Sequence, residues 1–150
     1  MNILDQGTFI LVTDSEKALL LENITDAQDP HFEVRRKEEQ ENPSDREQSA
    51  NRPGRKQDTG VGQRSALDDT DWHELAKERF ADDIADLLYE RAHRGKLGPV
   101  IIVASPQLLG DLRPKLHKEV QDLIQGEIPK TLTNHPITEI ERIVKDELAA

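Results

Sequence analysis

Residues 99–104, PVIIVA, are apolar without alternation, and a strand of that kind needs cover on both of its faces. That requirement points to a sheet lying between helices. A second β-prone apolar run, TFILVT at 8–13, is followed by the turn signal DSE and then by ALLLEN at 18–23, which reads as a returning strand. In HFEVRR, residues 31–36, Phe32 and Val34 alternate with charged neighbours, so a third strand with one wet face is expected. The short connections among these three imply an antiparallel meander.

Helical signals fill much of the rest. Asp71 with Glu74 reads as an N-cap and its capping-box partner. Trp72, Ala76, Phe80, Ile84, Leu87 and Leu88 then share one face at helical spacing, and Gly95, after His93 and Arg94, supplies the stop. Ser105-Pro106 reads as an N-cap and first helical residue before QLLGDL. Arg113-Pro114 breaks that helix, and a short turn follows to about Lys118. The stretch 120–128, VQDLIQGEI, fits strand and helix periods alike; Gly126 and Pro129 favour strand. A last helix starts near Pro136 with Ile137, Ile140, Val144 and Leu148 on one side. The order βββ-α-β-α-β-α describes an α/β mixed sheet covered by helices, and it is the order of the ribonuclease H-like fold. A length of 150 residues fits a single domain over 1–150.

Composition changes between the third strand and the first helix. Residues 38–70 hold few apolar side chains and many Glu, Gln, Asn, Ser, Gly and Pro. Such a segment buries too little surface to offset the entropy of ordering, and it is read as a long flexible loop within the domain. Between Asn51 and Arg64 the cations Arg52, Arg55, Lys56 and Arg64 face one acid, Asp58. The whole chain carries a net charge of −10, which disfavours bare binding to nucleic acid or anionic membrane, so this is a basic island. Guanidinium groups bind phosphate oxygens well, which makes phosphate or RNA contact one reading and a solubilising linker the other. Gly60, Val61, Gly62 and Gln63 form the loop tip. Glycine allows close backbone approach to a substrate, and a glutamine amide can orient a water or an ester carbonyl.

Other polar groups have plainer readings. Asp68, Asp69 and Asp71 suit a helix start, where capping and the dipole favour acids, better than a metal cluster. Glu78, Asp82, Asp86 and Glu90 form an acidic stripe at i, i+4, either a solvated face or a surface for a basic protein partner. His31, His73, His93, His117 and His135 show no ligand spacing and the chain has no cysteine, so no metal, disulfide or cofactor is expected. The N-terminus lacks a basic stretch leading into a long apolar one, and no run approaches the length of a membrane span. A soluble cytoplasmic protein with no membrane contact is expected.

Across nearly its whole length the chain resembles the bacterial host attachment protein family. The matching stretches are TFILVTDSEKALLLEN, NRPGRKQDTGVGQRSA, ERFADDIADLL, VIIVASPQLLGDLRPKL and GEIPKTLT. Ser105 stands where that family usually has proline, and Thr131 where it usually has aspartate. The family is in turn similar to the middle domain of archaeal and eukaryotic peptide-chain release factors. There a Gly-Gly-Gln tip, on a mobile loop before a long helix, promotes water attack on peptidyl-tRNA. GVGQRSAL resembles that tip. Gly62 and Gln63 match its last two residues, Val61 replaces the first glycine, and Arg64 is interposed before Ser65. A β-branched residue restricts the backbone at that place. The resemblance implies a non-catalytic domain associated with RNA or the ribosome through the basic loop. Its enzyme alternative is peptidyl-tRNA ester hydrolysis, with Gly62 and Gln63 as the catalytic residues. A second alternative, a protein of attachment at the cell surface, sits poorly with the missing signal and the lack of disulfides.

Overall fold

The strands β1 (Phe9–Thr13), β2 (Lys17–Asn23), β3 (Phe32–Glu39), β4 (Val100–Val103) and β5 (Ile124–Ile128) form one mixed sheet in the order β3-β2-β1-β4-β5. The structure, a computed structural model, describes residues 4–39 and 66–149, the side chains of 66–73 excepted. β1 pairs antiparallel with β2 and parallel with β4; β2 pairs antiparallel with β3, and β4 parallel with β5. The helices are α1 (Ala66–His93), α2 (Pro106–Leu112), the short α3 (Lys118–Gln121) and α4 (Ile137–Ala149), with a 3-10 turn at Arg113–Lys115. Strand order and interleaved helices together are the ribonuclease H-like α/β plan.

The apolar runs behave as two-sided strands. Every residue of β1 and of β4 is buried. Phe9, Leu11, Val100 and Ile102 face α1, α2 and α3, where they meet Phe80, Ile84, Leu88, Leu109, Leu112 and Val120. Ile10, Val12, Ile101 and Val103 face the opposite way, toward Ile140 and Val144 of α4. Fully burying one such side chain contributes about 1.5–3 kcal/mol, so the β1–β4 pair with its two covers is the energetic centre of the sheet.

Local rules place the helix ends. The Ser105 hydroxyl accepts the Leu108 amide at 3.2 Å, with Pro106 opening α2. At the end of α1 Gly95 takes φ +72°, its amide bonds to the Ala92 carbonyl, and the Lys96 amide bonds to that of Arg91. These two bonds are those of a Schellman stop. Gly98 is needed for a different reason, since a Cβ there would sit 2.8 Å from the Gly7 carbonyl oxygen.

Four sequence expectations need correction. Helix α1 begins at Ala66, not at an Asp71 N-cap, so Asp68, Asp69 and Asp71 lie in its first two turns. Ala66 and Leu67 are strong helix formers and acids are welcome near the N-terminus, so the helix extends upstream of the capping-box signal. The expected loop at 38–70 is shorter at both ends, because β3 runs to Glu39 and α1 starts at Ala66. Strand β5 starts at Ile124 instead of 120: the Asp122 and Leu123 amides fold back to the Lys118 and Val120 carbonyls, and Val120 reaches the core from a helical turn. On β3, Phe32 is buried but Val34 is 43% exposed. β3 lies at the sheet margin, with a register shift opposite Leu20/Leu21, and every residue from Glu33 to Glu39 is at least partly exposed.

Asn23, fully buried at the end of β2, ties the bottom of the sheet together. Its amide nitrogen donates to the Leu4 and Asp26 carbonyls, both at 3.0 Å, and its oxygen accepts the His31 amide at 3.0 Å and the Thr25 hydroxyl at 3.2 Å. Asn23→Leu keeps the size and leaves the buried Leu4 carbonyl and the part-buried Asp26 and His31 backbone groups without this partner, at about 1–3 kcal/mol. In urea unfolding the midpoint should drop with the slope unchanged; an unaltered midpoint would show the network to be dispensable.

Candidate functional site

The segment carrying the expected loop and tip lies in the chain between β3, which ends at Glu39, and α1, which starts at Ala66. Residue 38 pairs with Ala18, whose side chain belongs to the core on the α1 side, so Glu38 points toward α1 as well. Asp82, Asp83 and Asp86 on α1 face the same space. Partial burial is the largest cause holding the Asp83 carboxyl above the usual aspartate range; Asp86, Asp82 and Glu38 push it further up, and Arg79 partly offsets them. The body beside the end of β3 is therefore acidic, with Glu38 paired to Arg36, Asp82 paired to Lys115, and Asp83 and Asp86 exposed. Among the described side chains of α1, Ala76, Phe80, Ala81, Ile84, Ala85 and Leu88 are buried, and Ala66 lies about 21 Å of helical rise before Phe80.

The acidic stripe is partly answered from within the chain. Lys115, on the 3-10 turn, places its ammonium 2.9 Å from Asp82 and 3.9 Å from Glu78. The Asp82 hydrogen bond is the main reason its pKa stands above the ordinary lysine value. Arg94 pairs with Glu90 at 2.8 Å. Asp86, between these two pairs, remains exposed beside Asp83.

In open α/β sheets ligands gather beyond the carboxyl ends of the strands, and Asp14 stands there directly after β1. Both of its oxygens are occupied. Oδ1 accepts the Glu16 and Lys17 amides at 2.7 and 2.8 Å, and Oδ2 accepts the hydroxyl of Thr133 at 2.5 Å. Asp14 thus joins the β1–β2 turn to the segment before α4, and it is a clamp. Nothing in the spacing of two residues so far apart in the chain announces that contact.

Arg52, Arg55, Lys56, Gly60, Val61, Gly62, Gln63 and Arg64 lie outside the described residues. Among the histidines, His31 faces Glu141 at 3.6 Å, His93 faces Glu119 at 3.4 Å and His135 faces Glu139 at 2.9 Å. His117 stacks on Tyr89 with ring centroids 4.0 Å apart. Among the described residues no group of three or more His, Asp or Glu side chains is arranged to hold a metal ion, and none of their helices is long and apolar enough to cross a membrane.

Asp83 makes the negative surface measurable. A raised pKa in the folded chain means that the native state binds the proton more tightly than the unfolded one. The resulting penalty is absent below the ordinary aspartate pKa of about 3.9 and complete above the raised value. Asp83→Asn should therefore raise the melting temperature slightly at pH 7, by no more than a fraction of a kcal/mol because the site is exposed and screened. The gain should vanish as the pH falls below about 4. A drop in stability at pH 7 would contradict the repulsion.

A likeness to release factors runs over most of the chain. The description of bacterial archaeo-eukaryotic release factor family 12 matches residues 7–144, which takes in every strand of the sheet, the whole of α1 and the segment between β3 and α1. No curated protein matches the chain. With the mixed sheet, the long helix that follows the segment after β3, and a match over nearly the full length, the chain belongs to bacterial archaeo-eukaryotic release factor family 12.

Proposed function

We propose that this chain is a non-catalytic, release-factor-like domain that associates with RNA or with a stalled ribosome in the cytoplasm. Arg52, Arg55, Lys56 and Arg64 supply the phosphate contacts, and Gly60, Val61, Gly62 and Gln63 form the tip. The observation that carries this reading is the charge contrast at the loop's root. Asp83 and Asp86 lie exposed beside Glu38 and Asp82, so a polyanion would engage the basic segment more readily than this acidic part of the body. Family membership gives a translation-related role in general, and the basic loop gives it a mode of contact. The stripe of Glu78, Asp82, Asp86 and Glu90 fits a basic protein surface beside that RNA, most openly at Asp86. A part in host attachment would then be indirect.

Co-sedimentation with ribosomes across a salt series tests the proposal. Binding should weaken steeply with salt. Replacing all four loop cations by alanine should flatten the dependence by roughly 0.7 in log–log slope for each phosphate of single-stranded RNA no longer neutralised. Binding that ignores salt, or a substituted chain that binds as before, would end it.

The hydrolytic reading rests on the likeness of GVGQ to the release-factor tip. In it Gln63 orients water against the peptidyl-tRNA ester, and its backbone amide meets the developing negative charge. If that activity exists, Gln63→Ala abolishes peptide release from purified ribosomes and leaves sedimentation unchanged. Release that survives the substitution removes the reading.

A further inference from the structure

The C-terminal end of α1 differs in charge and chemistry from the rest of the body. Within 89–96, YERAHRGK, three cations (Arg91, Arg94 and Lys96) face one acid, Glu90, in a chain of net charge −10. Three rings gather there. Tyr89 stacks on His117 at 4.0 Å between centroids and on His93 at 5.5 Å, with interplanar angles of 27° and 26°. Tyr89 is half-buried against the core on the α1 side, which fixes its ring, whereas His93 and His117 are exposed. Lys118 follows His117 and is 86% exposed at its side chain. The Arg91 guanidinium lies over the Phe9 ring, 5.7 Å from its centroid, on the core side of the helix.

We propose that Tyr89, His93 and His117, with Arg94, Lys96 and Lys118 around them, form a second contact for single-stranded RNA. An unpaired base stacks on an exposed imidazole face, and the surrounding cations meet the adjoining phosphates. Aromatic and histidine rings take unpaired bases this way without regard to sequence. The ion pairs already present, Glu90 with Arg94, Glu119 with His93 and Asp122 with Lys118, are exposed. Pairs of that kind are worth little and give way readily to phosphate. The choice of RNA rests on the function proposed above, while the site does not use the loop. Tyr89 stands about 35 Å of helical rise from Ala66, toward the opposite end of α1.

The test is fluorescence anisotropy of the full chain with a labelled single-stranded RNA of about twelve nucleotides, alongside the corresponding duplex. His93→Ala with His117→Ala should weaken single-strand binding about five-fold or more, the scale of one stacked base, and leave duplex binding unchanged. Replacing Arg94, Lys96 and Lys118 with alanine should flatten the salt dependence. His117→Phe, which keeps a ring but not the imidazole nitrogens, should bind nearly as the unsubstituted chain does. Melting temperatures within a few degrees of the unsubstituted chain show that the variants are folded. If the double histidine variant binds single strands normally, or weakens toward single strand and duplex equally, the stack is only a fastening between α1 and α3. Binding abolished by the four loop substitutions and untouched by the histidines overturns this site and leaves the loop. The reverse overturns the loop and leaves the site, and an unsubstituted chain that binds no RNA at any salt removes both.

Discussion

The parallel pairing of β1 with β4 sets the terms for everything around it. Phe9 aligns with Val100, Ile10 with Ile101, Leu11 with Ile102 and Val12 with Val103, and all eight side chains are buried. A pair so apolar on both faces is stable only with a helical layer above and below. Parallel strands also require a long crossover between them. Here that crossover contains β2, β3, the segment carrying the basic loop, and α1. The insertion that bears the proposed function therefore lies inside the connection the core demands. One end is anchored by sheet pairing and the other by Phe80, Ile84 and Leu88.

Charge then divides the labour. The two margins of the sheet, β3 and β5, carry polar residues, and on β3 the ions answer one another: Arg35 bridges Glu22 and Glu33, each at 2.8 Å, and Arg36 meets Glu38. A charged, mutually paired edge strand is a poor template for a second copy of itself. Antiparallel self-pairing of this sequence sets Glu33 opposite Glu38 and Arg35 opposite Arg36. By sequence, cations are most concentrated between Asn51 and Arg64 and again within 89–96. The face of α1 that bears Asp82, Asp83 and Asp86 is acidic, and the proposed contacts for a polyanion lie away from it.

Much of this is legible in the amino-acid sequence, for reasons that differ by element. β1, β4 and the α1 stripe are specified by runs of neighbouring residues, so their patterns survive any tertiary context. Ser105 and Gly95 are readable because capping and helix stopping are local chemistry. The start of α1 is not, because a capping-box pattern inside a helix resembles one at its end. Val120 misleads because one buried valine fits a strand and a helical turn equally, and only the returning amides of Asp122 and Leu123 decide between them. Val34 carries the pattern of a core-facing residue, but exposure on a marginal strand depends on how far α4 reaches. That helix meets only the start of β3, where Glu141 accepts the Phe32 amide at 2.7 Å. The loop cations stand out by composition alone. The ring cluster does not, because Tyr89 and His117 belong to different stretches of chain and meet only when α3 folds against α1.

The buried polar residues show why such a body can present recognition chemistry without losing its shape. Asn23 fixes the turn between β2 and β3, Asp14 with Thr133 fixes the opposite end, and Thr13, itself fully buried, donates its hydroxyl toward the Lys17 carbonyl at 3.0 Å. Each lies where a chain reversal would otherwise leave backbone groups unsatisfied, and together they close the sheet at both ends. Their polar atoms are engaged, so they offer little to a ligand. The imidazoles at the far end of α1 differ from them, since His93 and His117 are exposed and stack on Tyr89. A release-factor-like fold built this way works as a rigid stand. Its core holds the second half of one long helix through Phe80, Ile84 and Leu88, and the end of that helix at Tyr89 and His93 stays at the surface.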